Sequence, residues 1–351
     1  MSNTSDAPSA APRVAALGAG RMGRGIALTF ACAGHPILVV DAKPRSEADF
    51  QRLHGDAMAD LRTQLDAMVA LQIVPAHAID AILERISVCS REAASALLRD
   101  VDLLFEGVPE VMEAKAEAFA YACERMRPDA IIASTSSTFL STSLAEMVSH
   151  AERFLNAHWL NPAQLIPLVE ISPHPGTAPA TVATLREKLE AVGKMPVLCG
   201  ATPGYIVPRM QVLIMNEAAR MIEQGVATAE DIDQAIRFGF GIRYAAMGVV
   251  EFIDFGGNDI LYYASRYLSG ALDDTRYASP PIIARHMEEG RNGLRDGKGF
   301  YDWSQRDIDA YRRESTARLV DLLRMAGKLP RVADDVDHFQ GQSPSKSLEN
   351  K

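Results

Sequence analysis

A histidine and a glutamate on successive predicted strands are the residues of this chain best suited to acid–base chemistry. His158 comes near the end of the apolar run 154–159, and Glu170 lies in the next run, 168–171. Because neighbouring strands lie about 4.8 Å apart, the imidazole and the carboxylate can meet. A carboxylate bonded to one ring nitrogen fixes the tautomer and makes the other nitrogen a better base for a hydroxyl proton.

Other interpretations of these residues exist. A histidine in a strand can be a core residue satisfied by backbone groups, and a strand glutamate can be exposed to solvent. Here Val169 and Ile171 flank the glutamate, so burial without a partner would be costly. Ser137, in the polar turn 135–138 at another strand end, can hydrogen-bond a substrate oxygen, or that turn can be purely structural. Asn161 can orient the carbonyl side of a substrate.

A glycine turn near the N-terminus is typical of a nucleotide site. Gly18, Gly20 and Gly23 follow the apolar run after Arg13 with the G-x-G-x-x-G spacing. In this pattern the first glycine permits a tight turn, the second lets a pyrophosphate approach the backbone, and the third allows close packing of helix on strand. The N–H groups at the helix start, around Arg21 and Met22, would then face the phosphates.

An acidic residue at the end of the second predicted strand indicates which nucleotide binds. Asp41 follows the run 37–40, close to the ~20-residue spacing of a carboxylate that binds the adenosine ribose. A carboxylate there accepts hydrogen bonds from the ribose hydroxyls and repels a 2′-phosphate. Lys43 and Arg45 follow closely and could soften that repulsion. The pattern therefore favours NAD over NADP.

The surrounding elements predict an α/β fold: a Rossmann-type doubly wound sheet followed by an all-helical C-terminal domain. Apolar strand-like runs alternate with helical patterns up to a boundary placed near Gly200, and only helical patterns follow. We expect a disordered lead over 1–12, the dinucleotide-binding domain over 13–200, the helical domain over 201–339 and a disordered tail over 340–351. Two antiparallel helices are predicted over 46–86, broken near Pro75, and one helix over 254–268.

Composition excludes some classes of function. The net charge is −9, which argues against nucleic acid as a partner because phosphate binding requires a basic surface. No apolar run reaches the ~18 residues of a membrane span, so no membrane partner is expected. The cysteines show neither C-x-x-C pairs nor zinc spacing, so we expect no metal site. Reduced buried cysteines are typical of a cytoplasmic protein.

The chain resembles the L-3-hydroxyacyl-CoA dehydrogenase family over about residues 13 to 303. Several motifs carry the resemblance, in the family's order. They are the glycine turn from Gly18, Glu106-Gly107-Val108-Pro109-Glu110, Ser134-Thr135-Ser136-Ser137, His158-Trp159-Leu160-Asn161-Pro162 with Leu168-Val169-Glu170, Pro203-Gly204-Tyr205-Ile206-Val207, and Gly297-Lys298-Gly299-Phe300-Tyr301.

The resemblance implies roles for the matched residues. His158 would be the catalytic base with Glu170 as its partner, and Ser137 and Asn161 would hold the substrate. The acidic residue of the second motif, Glu110, would lie near the nicotinamide and ribose side of NAD.

The resemblance also implies the reaction and the assembly. Lys115 would join the acidic residue on the NAD side. The enzyme would oxidise the L-3-hydroxy group of a short-chain 3-hydroxyacyl-CoA, of the 3-hydroxybutyryl-CoA type, within fatty acid metabolism. The helical domain would close the cleft and pair two subunits into a homodimer.

Three departures leave the substrate open. Pro208 stands where the family has asparagine, so one polar contact to substrate or base is missing. Acidic residues follow Asp41, where a CoA 3′-phosphate would prefer lysine or arginine. The segment from Gly241 to Ala245 resembles the branch with L-gulonate 3-dehydrogenases and lambda-crystallins, in which Arg243 could pair with a free carboxylate.

The sequence therefore leaves two alternatives to a hydroxyacyl-CoA dehydrogenase. Arg243 either holds the carboxylate of a free 3-hydroxy acid or is a surface arginine at a helix end. A protein of another class, a non-catalytic dinucleotide-binding or structural relative, is also possible. The retained pair of His158 and Glu170 argues against that class.

Overall fold

The computed structural model describes residues 13–330. The N-terminal part of this range forms an eight-stranded sheet. The strand order is β3-β2-β1-β4-β5-β6-β7-β8, and every pairing is parallel except that of β6 with β7. The strands are β1 Val14–Leu17, β2 Ile37–Val40, β3 Ile86–Cys89, β4 Leu103–Glu106, β5 Ile131–Ser134, β6 Phe154–Trp159, β7 Leu168–Pro173 and β8 Met195–Leu198. The first six have the order 3-2-1-4-5-6, which is typical of the doubly wound fold that the sequence predicts.

Continuous apolar runs form the central strands because helices cover the sheet on both faces. All four residues of β1, β2, β4 and β5 are buried. Alternate residues of one strand enter different cores: Val39 packs in one hydrophobic cluster, and Leu38 and Val40 pack in the other. This two-sided burial explains why the strands lack an apolar–polar alternation.

Strand register sets the position of the polar residues at one edge of the sheet. Leu17, Glu106, Ser134 and Asn156 are register partners across β1, β4, β5 and β6. His158 lies two residues beyond this row, at the carboxyl end of β6. Ligands bind outside the carboxyl ends of the strands in sheets of this kind.

The helices of the first compact unit flank this sheet. They are α1 Arg21–Cys32, α2 Glu47–Ala70, α3 Ile79–Leu83, α4 Arg91–Leu97, α5 Met112–Arg125, α6 Ser141–Ala145 and α7 Pro179–Ala191. Ser46 starts α2 by accepting a hydrogen bond from the Asp49 amide. The pair predicted over 46–86 is therefore uneven, because the second helix has only five residues and a 3₁₀ turn, Ala76–Ala78, precedes it.

The chain divides into two compact units between Asn216 and Glu217, so the first unit reaches beyond the boundary predicted near Gly200. This division falls within α8, Val207–Glu223. Only helices and two isolated β-bridges occur in the described part of the second unit. Its helices are α9 Ala229–Gln234, α10 Ile242–Ala246, α11 Val249–Gly256, α12 Asn258–Ala271, α13 Pro281–Glu288 and α14 Ile308–Met325.

The helical stretch predicted over 254–268 is divided between two helices. The chain breaks at Gly257, where φ is 109°, and α11 and α12 lie on either side. Buried Asp254 accepts hydrogen bonds from the Phe300 and Tyr301 amides and from Trp303 Nε1, each at 2.9 Å. This carboxylate thereby holds the glycine-rich segment that follows α13.

The lead predicted over 1–12 and the tail predicted over 340–351 lie outside the described residues. Within 13–330, no helix combines the length and the apolar character needed to cross a membrane.

Candidate active site

The glycine turn has the geometry of a phosphate cradle. Gly18 has φ 121°, and a Cβ there would lie 2.7 Å from the Gly107 carbonyl oxygen. A Cβ on Gly23 would lie 1.9 Å from the Gly18 oxygen, whereas a Cβ on Gly20 would meet nothing within 4 Å. Two positions thus require glycine for packing, and the third leaves the backbone open to a ligand. The first amides of α1, which begins at Arg21 and continues with Met22, have no acceptor within the helix.

A cleft of about 610 Å³ beside this turn fits an adenosine group. It is lined by Gly18, Gly20, Asp41, Arg45 and Pro109, among others. The buried Asp41 carboxylate stands at its side, where a ribose hydroxyl can donate to it. The cradle, the cleft and the acidic residue together fit a dinucleotide.

The Asp41 carboxylate already has two donors. Arg45 Nε lies 2.5 Å from Asp41 Oδ2, and the Lys43 amide lies 3.3 Å from Oδ1. The guanidinium places a positive charge against the residue that would repel a 2′-phosphate. Arg45 is therefore placed to influence the choice between NAD and NADP.

The segment after Asp41 is less acidic than its sequence suggests, because arginines lie beside its carboxylates. A hollow of about 340 Å³ beside the cleft is lined by Arg24, Arg45 and Arg52 as well as Asp49 and Asp56. Each arginine lies close to a carboxylate, as in the 2.8 Å contact of Arg24 with Asp60. The hollow thus carries mixed charge rather than an acidic surface.

Lys115, predicted on the NAD side, points into a buried cluster. Its side chain is 1% exposed, and Nζ lies 3.1 Å from both carboxylate oxygens of Glu106 and 3.3 Å from Glu110 Oε2. Ser134 Oγ also donates to Glu106, at 2.6 Å. The lysine therefore fixes two glutamates at the end of β4, including the predicted site residue Glu110.

Glu110 is joined to the predicted substrate serine. The Ser137 amide donates to Glu110 Oε1 at 2.6 Å, Ser137 Oγ lies 3.2 Å from the same atom, and Ser136 Oγ donates to Oε2. Burial tends to raise the pKa of Glu110, but the Ser137 amide and the Lys115 ammonium outweigh it and lower that pKa. Glu110 stays ionised near neutral pH and orders the serine turn.

His158 and Glu170 meet across the β6–β7 pair, in which they are direct register partners. Nδ1 of His158 donates to Glu170 Oε2 at 2.8 Å, and both residues are buried. The other oxygen, Oε1, accepts the Ile206 and Val207 amides, each at 2.8 Å. Three donors satisfy the buried carboxylate, so Nε2 of His158 keeps the lone pair that a base needs.

Pro208 does not remove the backbone support of this pair. It is the second residue of α8, in the first turn, where a missing N–H costs no helical hydrogen bond. The amides that hold Glu170 come from the two preceding residues, Ile206 and Val207. The backbone support of Glu170 is therefore independent of the side chain at position 208.

Asn161 begins an exposed loop after β6, and a lysine holds that loop. Lys194 Nζ donates to the Ala163 carbonyl at 2.6 Å and to the Ile166 carbonyl at 2.9 Å. Burial lowers the pKa of Lys194 to about 8. The loop is therefore anchored two residues beyond Asn161.

Arg243 lies on α10 in the second unit. Its Nε donates to the Gly239 carbonyl at 2.7 Å, and the guanidinium lies 4.9 Å from the centre of the Phe252 ring. One edge of the guanidinium is thereby held in place. Its role toward a carboxylate stays a prediction.

Comparison with known proteins identifies the family. The family profile described as "3-hydroxyacyl-CoA dehydrogenase, NAD binding domain" matches residues 13–202, and that of the C-terminal domain matches residues 204–303. The chain belongs to the 3-hydroxyacyl-CoA dehydrogenase family. Its cofactor is accordingly NAD, and the enzyme is an oxidoreductase acting on CH–OH groups.

Relatives of this chain are named for different substrates. A 3-hydroxybutyryl-CoA dehydrogenase of Bradyrhizobium diazoefficiens is 33% identical, with 83% of this chain and 95% of the relative covered. A 5-formyl-3-hydroxy-2-methylpyridine 4-carboxylate 5-dehydrogenase of Mesorhizobium japonicum is 29% identical, with 89% and 97% covered. The 3-hydroxyacyl-CoA dehydrogenase structure of Archaeoglobus fulgidus has a TM-score of 0.72 at 30% identity, covering 90% of this chain and 99% of that one.

Sequence reasoning missed four buried polar residues around the site: Glu106, Ser134, Lys194 and Tyr205. Glu106 had a detectable signal, because a glutamate that ends an apolar strand next to a nucleotide turn needs a partner. Lys194 had none, since its partners are carbonyls distant in sequence. Tyr205 lies in the motif from Pro203 to Val207, but that motif does not reveal its contacts with distant segments.

Proposed function

We propose that this protein is an NAD-dependent L-3-hydroxyacyl-CoA dehydrogenase that oxidises a short-chain 3-hydroxyacyl-CoA to its 3-oxo product. The observation that carries the proposal is the 2.8 Å contact between His158 and Glu170 at the carboxyl edge of the sheet. The family and the similarity to a 3-hydroxybutyryl-CoA dehydrogenase support the choice of substrate.

Four residues have separate roles in the oxidation of the alcohol. His158 takes the hydroxyl proton on Nε2, and Glu170 stabilises the imidazolium that forms. Ser137 hydrogen-bonds the substrate oxygen, and Asn161 orients the carbonyl side. NAD, when bound, accepts the hydride.

A free 3-hydroxy acid is the second candidate substrate, with Arg243 holding its carboxylate. Two observations favour it: the arginine is held in place by the Gly239 carbonyl and the Phe252 ring, and one relative is named for a pyridine carboxylate. The two candidates differ in the acyl-end contact and share the chemistry at the hydroxyl group.

Steady-state turnover distinguishes the two substrates. We expect NADH formation from L-3-hydroxybutyryl-CoA with a kcat/KM well above that for L-gulonate and L-3-hydroxybutyrate. The Arg243→Ala variant should leave thioester turnover unchanged. If a free acid alone is oxidised, and Arg243→Ala raises its KM, the thioester proposal is wrong and the free-acid proposal holds.

His158→Ala tests the base assignment. We expect kcat to fall by roughly two to four orders of magnitude, the usual contribution of a general base, while NAD affinity stays near that of the wild type. NADH fluorescence measures the affinity and confirms that the variant is folded. Wild-type kcat in His158→Ala would refute the assignment.

We also propose a homodimer in a reducing, cytoplasmic environment. Apolar residues exposed on α8 and α12 support pairing with a second copy, and the free thiols of the four cysteines support a reducing compartment.

A further inference from the structure

Tyr205 contacts the catalytic base directly. Its ring lies nearly parallel to the His158 imidazole, with the ring centres 5.0 Å apart and an angle of 10° between the planes. The tyrosine is 5% exposed, so the stack is shielded from water. The electron-rich face of an aromatic ring attracts a cation, and such a cation forms when the imidazole takes a proton.

The hydroxyl of Tyr205 reaches the substrate side of the site. It donates to the Ser136 carbonyl at 2.7 Å and accepts a hydrogen bond from Asn156 Nδ2 at 2.8 Å. Asn156 Nδ2 also donates to the Phe139 carbonyl, on the far side of the serine turn. Burial raises the pKa of Tyr205 to about 12, so the phenol keeps its proton and remains a donor.

The backbone conformation at Tyr205 also affects the pair of His158 and Glu170. Its φ is 45°, in the left-handed region that non-glycine residues rarely adopt. The two amides that follow, from Ile206 and Val207, bind Glu170. The segment 205–207 therefore links the base, its acidic partner and the serine turn.

We propose that Tyr205 is a positioning residue of the dehydrogenase reaction, whose ring fixes and stabilises the protonated His158 and whose hydroxyl fixes the Ser136–Ser137 turn. This inference rests on the proposed function, in which the histidine is the base and Ser137 binds the substrate. The ring and the hydroxyl then affect different kinetic parameters, because one acts on the proton transfer and the other on substrate placement.

The test compares Tyr205→Phe, which keeps the ring, with Tyr205→Leu, which loses it. The substrate is L-3-hydroxybutyryl-CoA, or the free acid if only that is turned over. We expect Tyr205→Phe to keep kcat within a few-fold and to raise the substrate KM about three- to ten-fold. Tyr205→Leu should lower kcat by roughly 10- to 100-fold and move the acidic limb of the kcat/KM profile to lower pH.

Two controls separate positioning from loss of structure. NADH affinity gives the folded fraction of each variant, and Tyr301→Phe, at a 41% exposed tyrosine, should match the wild type. Wild-type kinetics in Tyr205→Leu would overturn the proposal. Equal losses of kcat in both variants, with unchanged KM and pH profile, would also overturn it. The base assignment is judged separately by His158→Ala.

Discussion

At the scale of single residues, the choice between NAD and NADP depends on which groups donate hydrogen bonds to one buried carboxylate. Asp41 is 4% exposed and is held by Arg45 at 2.5 Å. Each carboxylate oxygen can accept more than one hydrogen bond, so a ribose hydroxyl can bind while the arginine stays. A 2′-phosphate would meet the arginine as well as the carboxylate, which weakens the discrimination against NADP.

Substitutions at this pair should change cofactor preference in opposite directions. We expect Arg45→Ala to raise the ratio of kcat/KM for NAD to that for NADP about five-fold or more, because the unpaired carboxylate repels the phosphate. Asp41→Ala should weaken NAD binding about ten-fold, because the ribose hydroxyls lose a charged hydrogen-bond acceptor. The same substitution should reduce the preference for NAD over NADP. Initial rates with both cofactors measure the ratios.

Arg62→Ala is the matched control, since Arg62 pairs with Asp80 on the surface and lies outside the cleft lining. It should leave both ratios unchanged. Unchanged NAD affinity in Asp41→Ala would remove the aspartate from the site, and an unchanged ratio in Arg45→Ala would remove the arginine from the discrimination.

At the scale of elements, the loop after β6 is held by the residue that directly precedes β8. Lys194 binds the Ala163 and Ile166 carbonyls, and Thr29 Oγ1 of α1 lies 3.4 Å from the first of these. The loop that carries Asn161 is thus tied to the helix that begins at the nucleotide turn. Trp159, beside the base, packs its ring 5.4 Å from the lysine Nζ.

The buried ammonium predicts a pH dependence of stability. Burial lowers the pKa of Lys194 from 10.5 to about 8, so between these values the unfolded chain binds more protons than the folded one. Stability contributed by this group therefore rises as the pH increases from 8 to 10.5. We expect the Tm of the wild type, relative to Lys194→Met, to increase over that interval in circular dichroism melts.

Other groups titrate in the same interval, so the difference between the two proteins is the quantity that matters. At pH 7 Lys194→Met should be less stable by roughly 1–3 kcal/mol because two buried carbonyls lose their donor. A constant difference in Tm from pH 8 to 10.5 would contradict the assigned pKa shift.

Some of these elements and contacts could be predicted from the sequence, and others could not. The strand-like runs, the glycine turn and the pairing of His158 with Glu170 were predictable, because the spacing of apolar residues and of motif residues is a local signal. The break at Gly257 was missed because the helical pattern continues across it. Tyr205 was missed as a site residue because its contacts with His158 and Ser136 arise only when distant segments meet.

At the scale of the whole molecule, α8 carries apolar residues that the described part of the chain leaves exposed. None of its residues is buried within the described structure, although its sequence is largely apolar on one side. Val212, Leu213 and Met215 are about 60% exposed, at 57%, 62% and 60%. Contiguous exposed apolar surface of this kind marks an interaction site, and a second copy of the chain is the occupant that we propose.

A charged substitution on this helix should dissociate the proposed dimer. The wild type should have about twice the chain mass of 38.1 kDa in light scattering after gel filtration. Leu213→Glu should shift it to the monomer mass, because a carboxylate in an apolar interface loses its hydration without gaining a partner. Thr316→Glu, on an exposed position of α14, is the control and should remain dimeric. A wild-type protein that is monomeric at micromolar concentration would contradict the proposed dimer, because α8 would then remain exposed to solvent. A Leu213→Glu variant that stays dimeric would place the subunit contact away from α8.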